Sequence, residues 1–421
     1  MRFVISGGGT AGHVNPALAV AQGLQTRGHE VFYAGTPSGM EARLVAANEI
    51  PYEAFSAAGF NRSKPWTLLT SGLKVARSTS KAQRWLSELK PDAVAGFGGY
   101  VSIPVGLAAV RLGIPLLIHE QNSALGMANR YLAKRAQAVA LTYEAAASGL
   151  STSGSIEVTG NPVRPSLKEA TRASGRAFFG LPQDARVLFV FGGSLGALHL
   201  NKAVAQLAPQ LLERKDLHVL HSTGQRDYTL IREQLVPLGL TRELGQIQAS
   251  AVVAGDKPLS QETAEGSALS HGASEGEPLA HDATEGGSLS HDATPPPRWH
   301  LIEYCDRMGE ALAASDLVLA RAGATSLAEI SALGIPALLV PFPYATDDHQ
   351  TTNAQTLVAA GAARMVSDAE LDEPIFAETL ISLLDNPQER TRMAQASSAL
   401  GAHDAAAALI DLLLRITSLA Q

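Results

Sequence analysis

Short apolar runs alternate with longer stretches of helical period along most of this chain. The first run, Phe3-Val4-Ile5, leads into glycines and then into a segment with Leu18, Val20 and Leu24 on one helical face. A brief run of apolar residues without polar alternation marks a strand buried on both faces. That criterion predicts strands at 2–6, 30–34, 93–96, 115–118 and 138–142. A second series follows at 186–191, 217–221, 299–302, 317–320 and 337–341. Gly or Pro follows most of them, and helical patterns lie between, including 225–237 and an alanine-rich tail at 403–418. Strands alternating with helices imply an α/β fold, with parallel sheets covered by helices on both faces.

Two of these strands run into the same device, a glycine turn opening a helix. One is Gly7-Gly8-Gly9-Thr10-Ala11-Gly12-His13; the other, about 185 residues later, is Gly192-Gly193-Ser194-Leu195-Gly196-Ala197. Two such starts predict two doubly wound, Rossmann-like halves. Prolines at 162 and 165 stop regular structure between them. The expected domains are 1–162 and 163–402, with 403–421 as a closing helix.

Composition changes this picture in one place. The chain has 421 residues and a net charge of -7. Residues 250–297 carry eight acids and one base, which accounts for all of that charge. Residues 263–294 repeat every ten, with Glu265-Gly266, Glu275-Gly276 and Glu285-Gly286, and with His271, His281 and His291 at the same period. Such a low-complexity segment cannot bury enough apolar surface to fold alone, so a disordered insertion is expected. Its histidines offer metal ligands, but on a solvated loop that is the weaker reading. The single Cys305 excludes an intrachain disulfide and suits a reducing compartment. No apolar run reaches the ~20 residues that span a bilayer, and the N-terminus does not read as a signal peptide.

The glycine loops bring in chemistry. Gly7, Gly9 and Gly12 spell G-x-G-x-x-G, a dinucleotide fingerprint that would make the chain an NAD(P)-dependent oxidoreductase. That reading wants an acid at the end of the second strand for the ribose, and Tyr33-Ala34-Gly35-Thr36-Pro37 has none. His13 at a helix start is held neutral by the positive helix end, which suits a general base; the alternative is a histidine that only caps the turn. A third strand, 317–320, opens into Arg321-Ala322-Gly323-Ala324-Thr325-Ser326-Leu327-Ala328-Glu329. Its small residues admit a diphosphate, its hydroxyls can bind one, and Glu329 can accept both hydroxyls of a ribose. The polar run Asp347-Asp348-His349-Gln350-Thr351-Thr352-Asn353 would face a sugar, with the adjacent aspartates capping a helix.

Seven motifs then fall in one order: GGGTAGH with Pro16, GFGGYVS at 96–102, HEQN at 119–122, GNPVR at 160–164, GGSLGA at 192–197, RAGATSLAE at 321–329 and HQTTNA at 349–354. Together they cover nearly the whole chain outside 250–297. The sequence resembles the MurG family of peptidoglycan N-acetylglucosaminyltransferases. The resemblance implies a GT-B fold, with two Rossmann-like domains facing across a cleft. It also implies inverting transfer of N-acetylglucosamine from UDP-N-acetylglucosamine to O4 of the muramoyl sugar of lipid I, undecaprenyl-diphospho-muramoylpentapeptide, giving lipid II. By the same resemblance the donor would lie on Thr10, Ala11, Gly12, Asn122, Arg164, Ser194, Cys305, Ala324, Thr325, Ser326, Leu327, Ala328, Glu329 and Gln350. His13 would be the base, with His119 and Glu120 in the acceptor cleft. No cofactor or metal is called for. Ala11 stands where the family has glycine, and Ser326 where it has threonine. A UDP-N-acetylglucosamine epimerase of the same fold is the alternative.

A polyprenyl acceptor requires approach to a membrane. Between Ala54 and Ser87 there are six bases (Arg62, Lys64, Lys74, Arg77, Lys81 and Arg84) and no acid, interleaved with Trp66, Leu68, Leu69, Leu73 and Val75. The expectation is a face, residues 62–84, that docks an anionic membrane surface from the cytoplasmic side of the inner membrane as a peripheral protein. Association with other cell-wall enzymes is compatible with that location. The patch is too short and too poor in aromatic residues for nucleic acid.

Overall fold

The computed structural model describes residues 1–56, 67–193, 196–247 and 296–419. The decapeptide repeat, with its three histidines, lies outside these residues.

Seven parallel strands form the first sheet: β1 Arg2–Ser6, β2 Glu30–Gly35, β3 Tyr52–Ala54, β4 Ala93–Gly96, β5 Leu116–Glu120, β6 Ala138–Leu141 and β7 Ser155–Val158, in the order β3-β2-β1-β4-β5-β6-β7. The second sheet contains β8 Arg186–Phe191, β9 Leu217–Ser222, β10 Thr241–Ile247, β11 Trp299–Cys305, β12 Leu317–Ala320, β13 Ala337–Leu339 and β14 Ala363–Met365. Their order is β10-β11-β9-β8-β12-β13-β14, again all parallel. The expected α/β fold of two Rossmann-like sheets is the observed one. Each central strand is buried on both faces, as in Phe3, Val4 and Ile5 of β1 and Phe189 and Val190 of β8, so apolar runs rather than alternation marked them.

The four strands that no apolar run announced are β3, β7, β10 and β14, the outermost strand on each side of each sheet. Edge strands cover one face and use more polar residues. Two neighbouring boundaries move with them. The predicted 225–237 helix is Tyr228–Leu235 followed by a 3-10 turn Val236–Leu238. The insertion therefore falls after β10, between two strands that pair with one another, rather than directly after that helix.

In each sheet the strand order reverses beside the first strand, between β1 and β4 and between β8 and β12. Ligands of open parallel sheets bind at the carboxyl ends of strands at such switch points. The loops there are 7–10 and 97–101 in the first sheet, and 192–193, 196–197 and 321–323 in the second. The terminal helix Ala405–Ser418 leaves the second half and packs on the first helix, Ala11–Thr26. Leu409, Ile410, Leu413 and Ile416 join Val14, Leu18 and Leu24 in one core. Burying each such aliphatic is worth about 1.5–3 kcal/mol, so the two halves are held by more than a linker.

Candidate active site

The two switch points face each other across a cleft of about 860 Å³. The first half lines it with Thr10, Ala11, Gly12, His13, Gly98, Gly99, Tyr100, Glu120 and Asn122. The second half brings Arg164, Gly193, Cys305, Gly323, Ala324, Thr325, Ser326, Glu329 and Gln350. Direct bonds cross the seam. Thr325 Oγ1 donates to the Gly12 carbonyl at 3.3 Å, and the Ser123 amide donates to Asn353 Oδ1 at 3.0 Å. Asn353 is fully buried and also donates to the Ala322 carbonyl at 3.3 Å. Nothing but its place in HQTTNA distinguished it beforehand.

Two helices direct uncapped N-termini into this space. Ala11–Thr26 follows Thr10 and Ala324–Ala332 follows Gly323; neither has a side-chain cap or an acid in its first turn. Free amide N–H groups and the positive ends of two dipoles make this an anion site. Among the described residues no cluster of His, Cys, Asp and Glu is arranged to hold a metal ion.

His13 sits in the first turn of its helix, half-buried. Its Nδ1 lies 3.1 Å from the Gly8 carbonyl, which only accepts, so Nδ1 carries the proton and Nε2 keeps its lone pair. Thr10 Oγ1 is also 3.1 Å from Nδ1. Burial lowers the pKa below the ordinary 6.5, while Glu120, the Gly8 carbonyl and Glu41 pull it back up. At neutral pH the ring is a neutral imidazole able to accept a proton.

Glu329 is 5 % exposed, and its carboxylate makes no hydrogen bond among the described residues. Burial raises its pKa to about 7, opposed by Arg164. Arg164 holds its own Nε buried and without a partner among the described residues. Two unpaired polar groups in a cleft wall leave their hydrogen-bonding capacity for a ligand. Gln350 is oriented by its carbonyl oxygen, which accepts from Ala322 N at 3.1 Å and Phe342 N at 3.0 Å. Its amide NH₂ is left to face the cleft. Cys305 ends β11; burial pushes its thiol up to about 12, so it presents a neutral wall.

Several expected ligands lie elsewhere. Ser194 lies outside the described residues. The Leu327 side chain points away from the cleft into the second-half core, and Ala328 does not line the cleft. Both follow from helical period: only Ala324, Thr325, Ser326 and Glu329 of this helix line the cleft. His119 belongs to β5, fully buried. It packs on Phe97 and its Nε2 is bonded to the Gly160 carbonyl at 3.0 Å, with burial lowering its pKa to about 4. It supports the sheet and does not reach an acceptor. Glu120 reaches the cleft but is fully engaged: Oε1 accepts from Asn122 N and Nδ2, Oε2 from Gly126 N and Asn129 Nδ2. It shapes the 121–126 loop and positions Asn122. Asp348 takes the N-cap place of the helix His349–Ala359, yet its carboxylate binds Thr351 Oγ1 rather than a backbone amide, and Asp347 faces Arg130 at 4.0 Å.

An acid does stand near the end of β2 after all. Glu41, in the helix Met40–Ala46, turns back beneath the glycine loop, but its oxygens are taken by Gly9 N, Thr36 N and Thr36 Oγ1. It offers nothing to a ribose.

Two doubly wound domains with opposed switch points, an anion site and a neutral imidazole across one cleft define a GT-B glycosyltransferase. The profile of the glycosyltransferase family 28 N-terminal domain matches residues 3–141, and that of the family 28 C-terminal domain matches 187–251 and 250–409. The chain is 34% identical over 415 residues to the UDP-N-acetylglucosamine–N-acetylmuramyl-(pentapeptide) pyrophosphoryl-undecaprenol N-acetylglucosamine transferase of Halothermothrix orenii, covering 98% of each chain. It is equally identical to the Bacillus subtilis transferase of that name, covering 98% of this chain and 99% of the other. Its fold matches the crystal structure of Acinetobacter baumannii MurG with a TM-score of 0.64 and 28% identity, covering 98% and 99% of the two chains. The chain belongs to glycosyltransferase family 28, and within it to the MurG N-acetylglucosaminyltransferases. A UDP-GlcNAc 2-epimerase from Neisseria meningitidis shares the fold at a TM-score of 0.58 and 16% identity, covering 99% of this chain and all of the other.

Proposed function

We propose that this enzyme transfers N-acetylglucosamine from UDP-N-acetylglucosamine to O4 of the muramoyl sugar of undecaprenyl-diphospho-muramoylpentapeptide, with inversion. The observation that carries the mechanism is that His13, with its Nε2 unprotonated, lines one cleft with the uncapped N-terminus of Ala324–Ala332. The donor diphosphate lies on that helix end, with the Ser326 hydroxyl and the amides of Thr325 and its neighbours as donors and Ser194 as a further ligand. Glu329 accepts the ribose hydroxyls, Arg164 and the Cys305 backbone bound the uracil, and the Gln350 amide and Asn122 bind the sugar. Thr10, Ala11 and Gly12 close the site from the first domain.

Nε2 takes the acceptor O4 proton as the O4–C1 bond forms and the bond from C1 to the diphosphate oxygen breaks. The electron pair leaves with UDP, whose growing charge meets the fixed amide dipoles. One displacement inverts C1. The reading is tested by UDP release from UDP-N-acetylglucosamine with a lipid I analogue. Release that depends on a free acceptor O4 is expected; acceptor-independent release or an epimerised sugar would overturn it.

The membrane contact is placed on 62–84. No helix among the described residues is long and apolar enough to cross a membrane. Arg62, Lys64 and Trp66 lie outside the described residues. Lys74, Arg77 and Arg84 are exposed on the helix Thr67–Leu89, beside Leu73 at 64 % exposure. Lys81 is already committed, to Glu53 at 2.5 Å and to the Ala54 carbonyl. Each free base near an anionic leaflet adds about 1 kcal/mol. The double change Lys74→Glu/Arg77→Glu is therefore expected to abolish flotation with phosphatidylglycerol vesicles while UDP binding persists. Undiminished flotation would remove this face from consideration.

A further inference from the structure

Glu41 is the most buried carboxylate next to the reaction site, and no cation lies within ion-pair distance of it among the described residues. It is held instead by three donors: Gly9 N at 3.3 Å, Thr36 N at 3.0 Å and Thr36 Oγ1 at 2.5 Å. The chain is cut to fit around it. A Cβ on Gly8 would stand 2.5 Å from Glu41 Oε1, and one on Gly39 would stand 2.2 Å from Oε2. A carboxylate buried without a cation depends on those three donors, so the loop that supplies one of them is held against it.

That loop is the one that orients His13. Gly9 N binds Glu41, and the preceding Gly8 carbonyl accepts His13 Nδ1–H. Gly99 packs on the same peptide so closely that a Cβ there would meet the Gly8 oxygen at 2.3 Å. One peptide group thus links the carboxylate to the imidazole. We propose that Glu41 is a positioning residue for this transfer: it fixes the Gly8–Gly9 peptide so that Nδ1 is the protonated nitrogen, and its charge stabilises the imidazolium formed when Nε2 takes the O4 proton. The proposal rests on His13 being the base.

Two carboxylates act on His13: Glu120 from β5 and Glu41 from the helix Met40–Ala46. The cleft also contains Arg43, Arg164, Glu329, Asp306, Asp347 and His349. Removing Glu41 takes away one of the three influences that raise His13, the others being Glu120 and the Gly8 carbonyl, so His13 titrates lower. Glu41→Gln is expected to lower kcat about tenfold or more with KM for the donor within about threefold, because misplacing a reacting group costs turnover rather than binding. The acid limb of kcat/KM is expected to move to lower pH. Glu41→Asp keeps the charge but draws the carboxylate back from Gly9 N, so the limb is expected to be restored while kcat stays low.

If Glu41→Gln does not fold, ¹⁵N chemical shifts of the His13 ring decide the matter in the unaltered protein and Glu41→Asp. An Nδ1-protonated ring that becomes a tautomer mixture in Glu41→Asp supports the proposal; the same tautomer in both overturns it. Wild-type kcat and acid limb in Glu41→Gln also overturn it, whatever the melting temperature. His13→Gln separates the two ideas. If that variant is inactive while Glu41→Gln is unaffected, only the role of Glu41 fails; if it stays active, the base itself is wrong.

Discussion

His13→Gln is expected to lower kcat by about 10²–10⁴-fold, the usual contribution of a positioned general base. Glutamine can still donate to the Gly8 carbonyl, so the loop keeps its anchor while the proton acceptor is lost. UDP affinity, carried mainly by the second domain, is expected to stay within about twofold, because the loss falls on the transition state rather than on ground-state binding. In the unaltered enzyme only neutral imidazole is active, and burial places its pKa below 6.5. Turnover is therefore expected to rise with pH and level off below neutrality. Steady-state rates with a lipid I analogue from pH 5 to 8, set beside UDP titration calorimetry, check both statements. An acid limb centred above 6.5 would contradict the assignment.

Changing Glu329 to glutamine is expected to weaken UDP binding by about 30–150-fold, or about 2–3 kcal/mol, the worth of hydrogen bonds from two hydroxyls to a charged acceptor. The same change is expected to stabilise the free enzyme in alkali. Folding raises this carboxyl from 4.5 to about 7 by burying it, so the folded state favours the protonated form. The penalty for charging it is absent below pH 4.5, grows between 4.5 and 7, and is complete above 7, where it amounts to about 3 kcal/mol. Glu329→Gln should raise the melting temperature at pH 8 and leave it unchanged at pH 4. Ribose hydroxyls that donate to the carboxylate favour its charged form. UDP binding is thus expected to release a proton below pH 7 and to tighten as pH rises towards 7. Calorimetry in two buffers of different ionisation enthalpy measures the proton directly; no proton release at pH 6 would remove Glu329 from the ribose.

Both residues stand out in the sequence, because each lies in the opening turns of a helix that follows a buried strand and a glycine turn. Ten central strands, the two glycine starts and the seven ordered motifs were legible for the same reason: local chemistry and local structure coincide there. Where they part, sequence reading misplaced residues. HEQN reads as a continuous polar loop, yet β5 extends through Glu120. The two-residue period of a strand then sends His119 into the Phe97 side and Glu120 to the other face. RAGATSLAE reads as one binding strip, yet the helical period turns Leu327 into the core.

By itself, then, the sequence determined the α/β alternation, the duplication of the Rossmann unit and the location of the glycine turns that line the cleft. These depend on apolar runs and on strand–glycine–helix junctions, which are specified over short stretches of chain. Only the tertiary structure decided the four edge strands, whose half-exposed faces carry no apolar run, and the seam at Ser123 and Asn353, 230 residues apart. It alone placed Glu41 too. In the sequence Glu41 is one acid near the start of a short helix; in the fold it lies beneath the first glycine loop. Burial and hydrogen bonding, which settle what a carboxylate can do, depend on partners that only long-range packing supplies.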